Sequence, residues 1–385
     1  MIDNITDNIV NNMDSTVKDD IIWANPKMIK LINGADVKDF QFWSFLKSGA
    51  KTVPQIKKTE YYKWYLNHIK IGTHSDRING IKNEQDIVNR LKYLLKLNDI
   101  VKKDTWFQDM DKPQVFIDSQ GQIRIFEGCH RITCALYNNL QNIPLIVIHR
   151  HSDWIAFKDS LQDEYGKKTL YNPIDHPDFS DWPVMREHRI KVIEQEINAH
   201  NFYQVTDSKS QEKPGYYYKW NTGHYFQWSH AERLKGLDLG SHIGYFCHYM
   251  ERCGVQMTGI DHNRIYYEKA LYLNQVYGMS STFYLEEIHD FLKRTKNRYD
   301  FVIALSVFYY LFRTDKDKAR GMLARISEIT DMAFIDSDPQ ELPEAVFLQE
   351  IADNTDFEAR VIYAGRDGRK IYKLTKLEIT PDKKK

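Results

Sequence analysis

The sequence has no long apolar run, few cysteines and no excess of charge. Its 53 basic side chains balance 53 acidic ones over 385 residues, so no overall field attracts nucleic acid. The chain begins with polar and acidic residues and contains no apolar run long enough for a membrane, which argues against a signal peptide and a membrane span. The four cysteines match no zinc-binding spacing and suit a reducing compartment. We therefore expect a cytoplasmic α/β protein of two or three domains, with no metal site of its own.

The pattern of the sequence divides the chain into five segments. They are a flexible lead-in (1–20), a smaller α+β unit (21–155), a helical linker with an aromatic lid (156–232), an α/β unit (233–376) and a tail (377–385). Strand and helix signals alternate strictly after residue 234, which predicts a mostly parallel, doubly wound sheet. We place strands near 235–240, 256–261, 281–286, 299–306, 331–336, 359–365 and 370–376, and helices near 84–97, 130–139, 183–200, 244–253, 264–278, 287–296, 315–328 and 341–353.

A glycine-containing turn between two apolar strands is the most informative motif. The first strand ends at Asp238, and Gly240 and Gly244 lie in the loop before a helix. The second strand ends at Asp261. Glycines let the backbone approach a ligand, and an acid after the second strand is placed to accept a ribose diol. This pattern predicts a nucleotide-type crevice.

The motif resembles motif I of class I S-adenosylmethionine (SAM)-dependent methyltransferases, and 233–376 has the element order of their Rossmann-like, seven-stranded sheet. The resemblance implies that Asp261 binds the ribose hydroxyls of SAM. It also implies that the methionine part of SAM lies against Asp238, Gly240, Ser241 and Gly244, and the adenine against His262, Glu286, Glu287 and Ile288.

In the same resemblance, the loop after the fourth strand faces the transferred methyl. Here it reads Tyr309-Tyr310-Leu311, without the histidine that often serves as base in that family. Core packing is the alternative role for these tyrosines. The aromatic segment 214–228 is either a substrate lid or a cover for the first strand. Candidate bases are His224, His242 and Tyr310, and candidate substrate contacts are Tyr217, Trp220, Trp228 and Tyr309.

A second motif, Phe-Glu-Gly-Cys-His-Arg at 126–131, precedes a helix and the strand IPLIVIH. It resembles the ParB/sulfiredoxin superfamily, as does the later Arg150-His151-x-x-Trp154. The resemblance implies nucleotide phosphates at the helix N-terminus, where the helix dipole and an arginine favour an anion. The implied ligands are Gly128, Cys129, His130 and Arg131, with Asp118 and Glu127 as candidate acids or Mg²⁺ ligands.

The residues of this motif also have alternative, purely structural interpretations. The alternative role of His130 and Arg131 is a structural helix cap, and Cys129 is either a nucleophile or a small residue tolerated in a turn.

Together the motifs predict a two-module enzyme. Its C-terminal module would transfer methyl from SAM, and its N-terminal module would bind ATP or ADP with Mg²⁺ and act as a kinase on the same small polar metabolite or glycan. One alternative is a nucleic-acid methyltransferase targeted by a ParB-like domain, which the neutral charge and the missing (N/D)-P-P-(Y/F) motif disfavour. Another is a non-catalytic sensor of SAM and nucleotide. The sequence leaves the acceptor, its reacting atom and the oligomeric state open.

Overall fold

The computed structural model describes residues 20–72, 80–103, 105–165, 168–185, 189–199, 203–206, 218–219, 225–228, 234–365 and 367–376. The chain forms two compact units. The first comprises Met1–Thr169 and Asp175–Pro183, and the second comprises Leu170–Ile174 and Val184–Lys385. The predicted mixed α/β class is confirmed. Within the described residues, no helix has the length and apolar character needed to cross a membrane.

The first unit contains a five-stranded mixed sheet with the order β1-β5-β3-β4-β2. The β3–β5 and β2–β4 pairs are parallel, whereas β1–β5 and β3–β4 are antiparallel. The elements of this unit are β1 (Ile21–Ala24), β2 (Ile29–Lys30), α1 (Gln41–Lys47), α2 (Val53–Lys58), α3 (Glu60–Ile71), α4 (Glu84–Val101), β3 (Gln114–Ile117), β4 (Ile123–Glu127), α5 (Cys129–Tyr137), β5 (Ile143–Arg150) and α6 (Ser152–Tyr165).

Helix α4 illustrates how the sequence specifies this unit. Asn83 and Asp86 form a reciprocal capping box at its N-terminus, which satisfies backbone donors that the helix leaves open. Apolar residues follow at intervals of three and four and are all buried, so one face of the helix packs into the core. They are Ile87, Val88, Leu91, Leu94, Leu97 and Val101. The helix therefore extends one turn beyond the predicted end at residue 97.

The second unit contains a seven-stranded sheet with the order β11-β10-β9-β12-β13-β15-β14. Neighbouring strands from β11 to β13 are parallel, and β15 pairs antiparallel with both β13 and β14. A separate three-stranded sheet has the order β6-β8-β7. The elements are α7 (Arg189–Ala199), β6 (Tyr203–Thr206), β7 (Tyr218–Lys219), β8 (Tyr225–Trp228), β9 (Lys235–Leu239), α8 (Tyr245–Arg252), β10 (Gln256–Asp261), α9 (Arg264–Tyr277), β11 (Thr282–Leu285), α10 (Ile288–Arg294), β12 (Phe301–Ala304), α11 (Phe308–Thr314), α12 (Lys316–Ile329), β13 (Met332–Ser337), α13 (Glu344–Asn354), β14 (Phe357–Ala364) and β15 (Lys370–Lys376).

The central strands of this sheet are buried on both faces. In β12, Val302 and Ala304 belong to one apolar cluster, while Phe301 and Ile303 belong to the other. The continuous apolar sequence of β12 follows from this arrangement, since helices cover both faces of a parallel sheet. The polar residues that follow the strands are thereby collected at the carboxyl edge of the sheet.

Two further predicted boundaries differ from the structure for identifiable reasons. The helix expected over 183–200 begins at Arg189, because Val184 instead forms a β-bridge with Leu170. The fourth strand, expected to reach 306, ends at Ala304 because Ser306 adopts a left-handed backbone with φ of 61°.

Candidate functional site

The loop between β9 and α8 is folded tightly against the end of β10. The backbone N–H groups of Gly240 and Ser241 both donate to the carbonyl of Ile260 at 2.9 Å. Gly244 has a φ of 81°, and a Cβ there would lie 2.6 Å from Cζ of Phe283. Any side chain at Gly244 would therefore be strained twice, by its backbone and by its neighbour. Glycine is required for the loop to turn into α8 at this point.

Asp261 ends β10 and connects this loop to the next one. Its Oδ2 accepts the backbone N–H of His242 at 2.9 Å, and its Oδ1 accepts the N–H of Asn263 at 2.8 Å. A carboxylate offers about four acceptor sites, so each oxygen can accept another hydrogen bond. The nearly buried Asp261 is thus arranged to receive two neighbouring hydroxyl groups.

Asp238 is buried in β9, just before the loop. Its Oδ2 accepts the thiol of Cys247 at 3.7 Å. Burial, reinforced by the charge of Asp261, raises the pKa of Asp238 to about 7. Ser241, within the loop, is also buried, so both side chains lie inside the fold beside the glycine turn.

The predicted adenine contacts follow β10 and β11. His262 and Glu287 are exposed, and Ile288 packs partly into the apolar core. The carboxylate of Glu286 forms a two-pronged ion pair with Arg294, with Nε at 2.8 Å and Nη2 at 2.5 Å. The two glutamates that the sequence did not distinguish therefore differ. Glu286 is paired with Arg294 on both oxygens, whereas Glu287 is exposed and its Oε2 lies 3.8 Å from Nζ of Lys318.

The loop after β12 brings a second polar group to the same edge. The N–H of Ser306 donates to Oδ1 of Asp336 at 2.6 Å, and burial raises the pKa of Asp336 to about 6. Tyr309 is half-buried, with the guanidinium of Arg369 lying 5.4 Å from its ring centroid. Tyr310 is 53% exposed, so core packing is not its role.

Sequence reasoning missed two residues of this edge. The hydroxyl of Tyr171 lies 3.2 Å from Oγ of Ser306, and its ring centroid lies 5.9 Å from that of His242. The guanidinium carbon of Arg189 lies 5.2 Å from the Tyr171 ring centroid. No local motif marks Tyr171, which stands in the segment predicted to be a linker.

Arg189 is itself buried, with Nη1 at 3.7 Å from Oδ2 of Asp336. Among the described residues its Nε has no hydrogen-bond partner, and neither has the buried Oδ1 of Asn172. Burial alone would raise the pKa of Tyr171, but the charge of Arg189 and hydrogen bonds from Ser306 and Arg189 outweigh it, so that this pKa is lower than usual.

The remaining candidates in the second unit fall into two groups. His242 has a φ of 52°, and its ring centroid lies 4.0 Å from that of Tyr266. Trp228 is the last residue of β8. The other candidates, His224, Tyr217 and Trp220, lie outside the described residues.

In the first unit, Gly128 is the N-cap residue that precedes α5, with a φ of 89°. The Nε2 of His130 hydrogen-bonds the Tyr61 hydroxyl at 2.9 Å, and its ring packs against Phe40 and Phe42. Arg131 donates to the backbone carbonyl of Asp111. These contacts give both side chains a structural role in holding α5.

The candidate Mg²⁺ ligands of the first unit differ in their surroundings. Asp118 accepts the N–H groups of Gln120 and Gln122 and pairs with Arg124 at 2.7 Å, so it organises the β3–β4 turn. Glu127 lies 3.8 Å from Arg131. No cluster of three metal-ligating side chains occurs in the described ranges.

No protein-family model matches the sequence, and no curated protein matches it. Among solved structures, the bifunctional kinase-methyltransferase WbdD is 17% identical with a TM-score of 0.41, over 56% of this chain and 45% of its own. The magnesium protoporphyrin IX methyltransferase ChlM from Synechocystis PCC 6803, with bound SAM, is 19% identical with a TM-score of 0.32, over 38% of this chain and 71% of its own.

A TehB-like SAM-dependent methyltransferase from Corynebacterium glutamicum ATCC 13032 Kitasato is 16% identical with a TM-score of 0.32, over 38% of this chain and 83% of its own. These structural neighbours are methyltransferases, and this chain spans less than half the length of the WbdD structure. The likenesses are too partial to assign an activity or a substrate to the chain.

Proposed function

We propose that the second unit transfers a methyl group from SAM to a small polar metabolite or glycan. The observation that carries this proposal is the position of Asp261, whose two carboxylate oxygens hold two backbone N–H groups and retain acceptor capacity beside the glycine turn. Chain order reverses beside β9, which lies between β10 and β12. In open α/β sheets, ligands bind at the carboxyl ends of strands at such a switch point.

The cofactor would lie along this edge. Asp261 would accept the ribose hydroxyls, and the glycine turn from Asp238 to Gly244 would receive the methionine part. Glu287 is available near the adenine, together with His262 and Ile288, because Glu286 is already paired with Arg294. SAM supplies an electrophilic methyl on a sulfonium. The protein has to hold the acceptor in line with that methyl and to exclude water.

The acceptor would lie over the ends of β12 and β13. Ser306, Tyr309, Asp336 and Arg369 give this edge hydroxyl, phenol, carboxyl and guanidinium groups within one small region. Such a mixed polar edge suits a hydroxylated small molecule or a glycan. In this proposal the aromatic segment 214–228 would act as a lid over the bound substrate.

For the first unit we propose nucleotide binding at Gly128–Arg131, with a kinase activity on the same substrate and ATP or ADP with Mg²⁺. A Cβ at Gly128 would lie 2.9 Å from Cβ of Pro113 and 3.1 Å from Nη2 of Arg131. The backbone is thus closely packed where α5 begins. A helix N-terminus followed by an arginine favours an anionic ligand.

Calorimetric titration with SAM, S-adenosylhomocysteine, ATP, ADP and CTP tests both parts. Binding of SAM and S-adenosylhomocysteine with a stoichiometry of one supports the methyltransferase, and independent binding of ATP or ADP supports the nucleotide site. A screen for S-adenosylhomocysteine release with sugars, sugar phosphates and amino acids would then separate an enzyme from a sensor. A protein that binds no SAM refutes the central proposal, and steep salt-dependent binding of DNA would favour the nucleic-acid alternative.

A further inference from the structure

Tyr171 reaches the carboxyl edge of the sheet from a segment remote in sequence. It touches both loops that border the proposed cofactor position, through its hydroxyl with Ser306 after β12 and through its ring with His242 after β9. A phenol held between these two loops lies where the methyl donor and the acceptor would meet.

The surroundings of Tyr171 favour its anionic form. Arg189 provides a buried positive charge beside the ring, and the Ser306 hydroxyl lies 3.2 Å from the phenol oxygen, where it can donate to the phenolate. Asp336 opposes this effect when it is ionised, because its negative charge raises the pKa of Tyr171. Burial favours the neutral form of Asp336 and so weakens this opposition. Other titratable or charged groups at this edge include His242, Tyr309, Arg369 and Asp261. The net result is a pKa of Tyr171 below the usual phenol value, despite its burial.

The described candidate bases named from sequence are less suited. Tyr310 projects to solvent beside Arg313. His242 contributes its backbone N–H to Asp261 and packs its ring against Tyr266, so its position is fixed by the cofactor loop. Burial raises the pKa of Tyr309, so less of it is present as the phenolate that could accept a proton.

We propose that Tyr171 is the catalytic general base for methylation of an alcohol hydroxyl on the acceptor, with Arg189 as the residue that positions and activates it. This inference rests on the proposed methyltransferase function and adds the reacting group of the acceptor. An alcohol needs a base because its oxygen must lose a proton as it attacks, and a phenolate is strong enough to take that proton.

The chemical step balances without a metal or an oxidant. The acceptor oxygen forms a bond to the methyl carbon while the carbon–sulfur bond of SAM breaks, and the electron pair of that bond leaves on sulfur to give neutral S-adenosylhomocysteine. The acceptor proton passes to the phenolate oxygen of Tyr171. After product release, the phenol returns this proton to solvent.

The test measures phenol ionisation and turnover in parallel. The near-ultraviolet absorbance of phenolate is titrated against pH for the wild type and for Tyr171→Phe, and the difference isolates Tyr171 from the other tyrosines. The titration is repeated with SAM and with S-adenosylhomocysteine. Because only SAM carries the sulfonium charge, a phenol beside the transferred methyl should ionise at lower pH with SAM than with S-adenosylhomocysteine.

Arg189→Met should move the ionisation of Tyr171 to higher pH, and Arg189→Lys should restore part of the shift because it keeps the charge. With an alcohol acceptor from the screen, Tyr171→Phe should lower kcat by about a hundredfold to ten-thousandfold with SAM affinity unchanged. The acidic limb of the wild-type pH–rate profile should match the ionisation of Tyr171. Tyr93→Phe, an exposed tyrosine on α4 in the first unit, serves as the control.

Three results would overturn the proposal. One is a Tyr171 phenol that titrates at or above the ordinary value, and another is the same ionisation with SAM and S-adenosylhomocysteine. The third is full turnover by Tyr171→Phe. Failure to bind SAM would refute the proposed function itself and the inference with it, whereas SAM binding with any of these three results refutes the role of Tyr171 alone.

Discussion

The backbone N–H of His242 donates to Oδ2 of Asp261 at 2.9 Å, which joins the glycine loop after β9 to the end of β10. The second oxygen of the same carboxylate accepts the N–H of Asn263. One side chain thus fixes two loops and presents its remaining lone pairs at the edge of the sheet.

Asp261→Asn should weaken SAM binding about tenfold to a hundredfold. An amide keeps one acceptor oxygen but turns an NH₂ group toward a backbone N–H, and it would lose the charged hydrogen bonds proposed to the ribose, each worth about 1.5–3 kcal/mol. Calorimetric titration with S-adenosylhomocysteine measures the change.

Asp331→Asn is the matched control for this substitution. Asp331 is an exposed carboxylate that precedes β13 at the opposite edge of the sheet and pairs with Arg298 at 2.9 Å. Equal affinities for wild type and Asp261→Asn would remove Asp261 from the cofactor site.

Gly244→Ala should destabilise the second unit more than Gly278→Ala does. Both glycines have positive φ, but a Cβ at Gly244 would meet the rings of Phe283 and His248, whereas nothing lies within 4 Å of a Cβ at Gly278. The shared backbone strain costs about 1–2 kcal/mol, and forcing the rings apart adds about 1–3 kcal/mol. Urea unfolding of the two variants measures the difference, and equal midpoints would show that the loop yields without cost.

Sequence patterns predicted the parts of the second unit whose structure is determined by residues adjacent in sequence. The apolar run of β12 and the turn at Gly244 follow from local rules, because a buried parallel strand needs continuous apolar residues and a left-handed backbone favours glycine. The start of α7 was predicted at residue 183, whereas the helix begins at Arg189. Val184 has helix-compatible neighbours, but its bridge to Leu170 is a tertiary contact that no periodicity records.

Sequence patterns are limited in the same way at the ends of β12 and β13, where we propose that the acceptor lies. Tyr171 and Ser306 are 135 residues apart in sequence, and only the fold brings their hydroxyls together. In the first unit, His130 resembles a phosphate ligand by motif. Its contact with Tyr61, 69 residues away, supplies the structural alternative that sequence alone left open.

Arg131→Ala should weaken ATP or ADP binding if the start of α5 holds phosphate. The expected loss is at least tenfold to a hundredfold, because a charged hydrogen bond contributes about 1.5–3 kcal/mol, while SAM affinity should not change. Arg131→Lys should recover only part of the loss, since lysine lacks the planar fork. Calorimetry with each nucleotide measures these affinities.

Because Arg131 also donates to the carbonyl of Asp111, urea unfolding must accompany the nucleotide titration. Lys92→Ala removes an exposed charge from α4 in the same unit and should change neither result. Unchanged nucleotide binding by Arg131→Ala would leave the residue its structural role only.

The stability of the first unit should fall as the pH decreases from 6.5 toward 4. The buried His176 donates from Nε2 to the carbonyl of Gly121 at 3.0 Å and accepts the N–H of Asp178 at Nδ1. Burial lowers its pKa from 6.5 to about 4. Folding therefore favours the neutral ring. The contribution of His176 to the free energy of unfolding is complete above pH 6.5, where the ring is neutral in the unfolded chain as well. It is lost as the pH falls from 6.5 through about 4. The expected loss is about 3 kcal/mol.

His176→Asn should lower stability at neutral pH and flatten this dependence. Asparagine can still accept the N–H of Asp178, but it carries no proton that titrates in the window and loses the packing against Trp154, whose ring centroid is 4.5 Å away. Titration of Asp178 does not overlap with that of His176. Burial alone would raise its pKa, but hydrogen bonds and the charge of Arg150 hold the pKa below its usual range, so its titration falls at lower pH.

Urea midpoints followed by tryptophan fluorescence measure this dependence, since most tryptophans belong to the first unit: Trp23, Trp43, Trp64, Trp106, Trp154 and Trp182. His151→Asn, at an exposed position that precedes α6, should keep the wild-type pH profile. An unchanged slope in His176→Asn would show that another group controls the acid sensitivity of the unit.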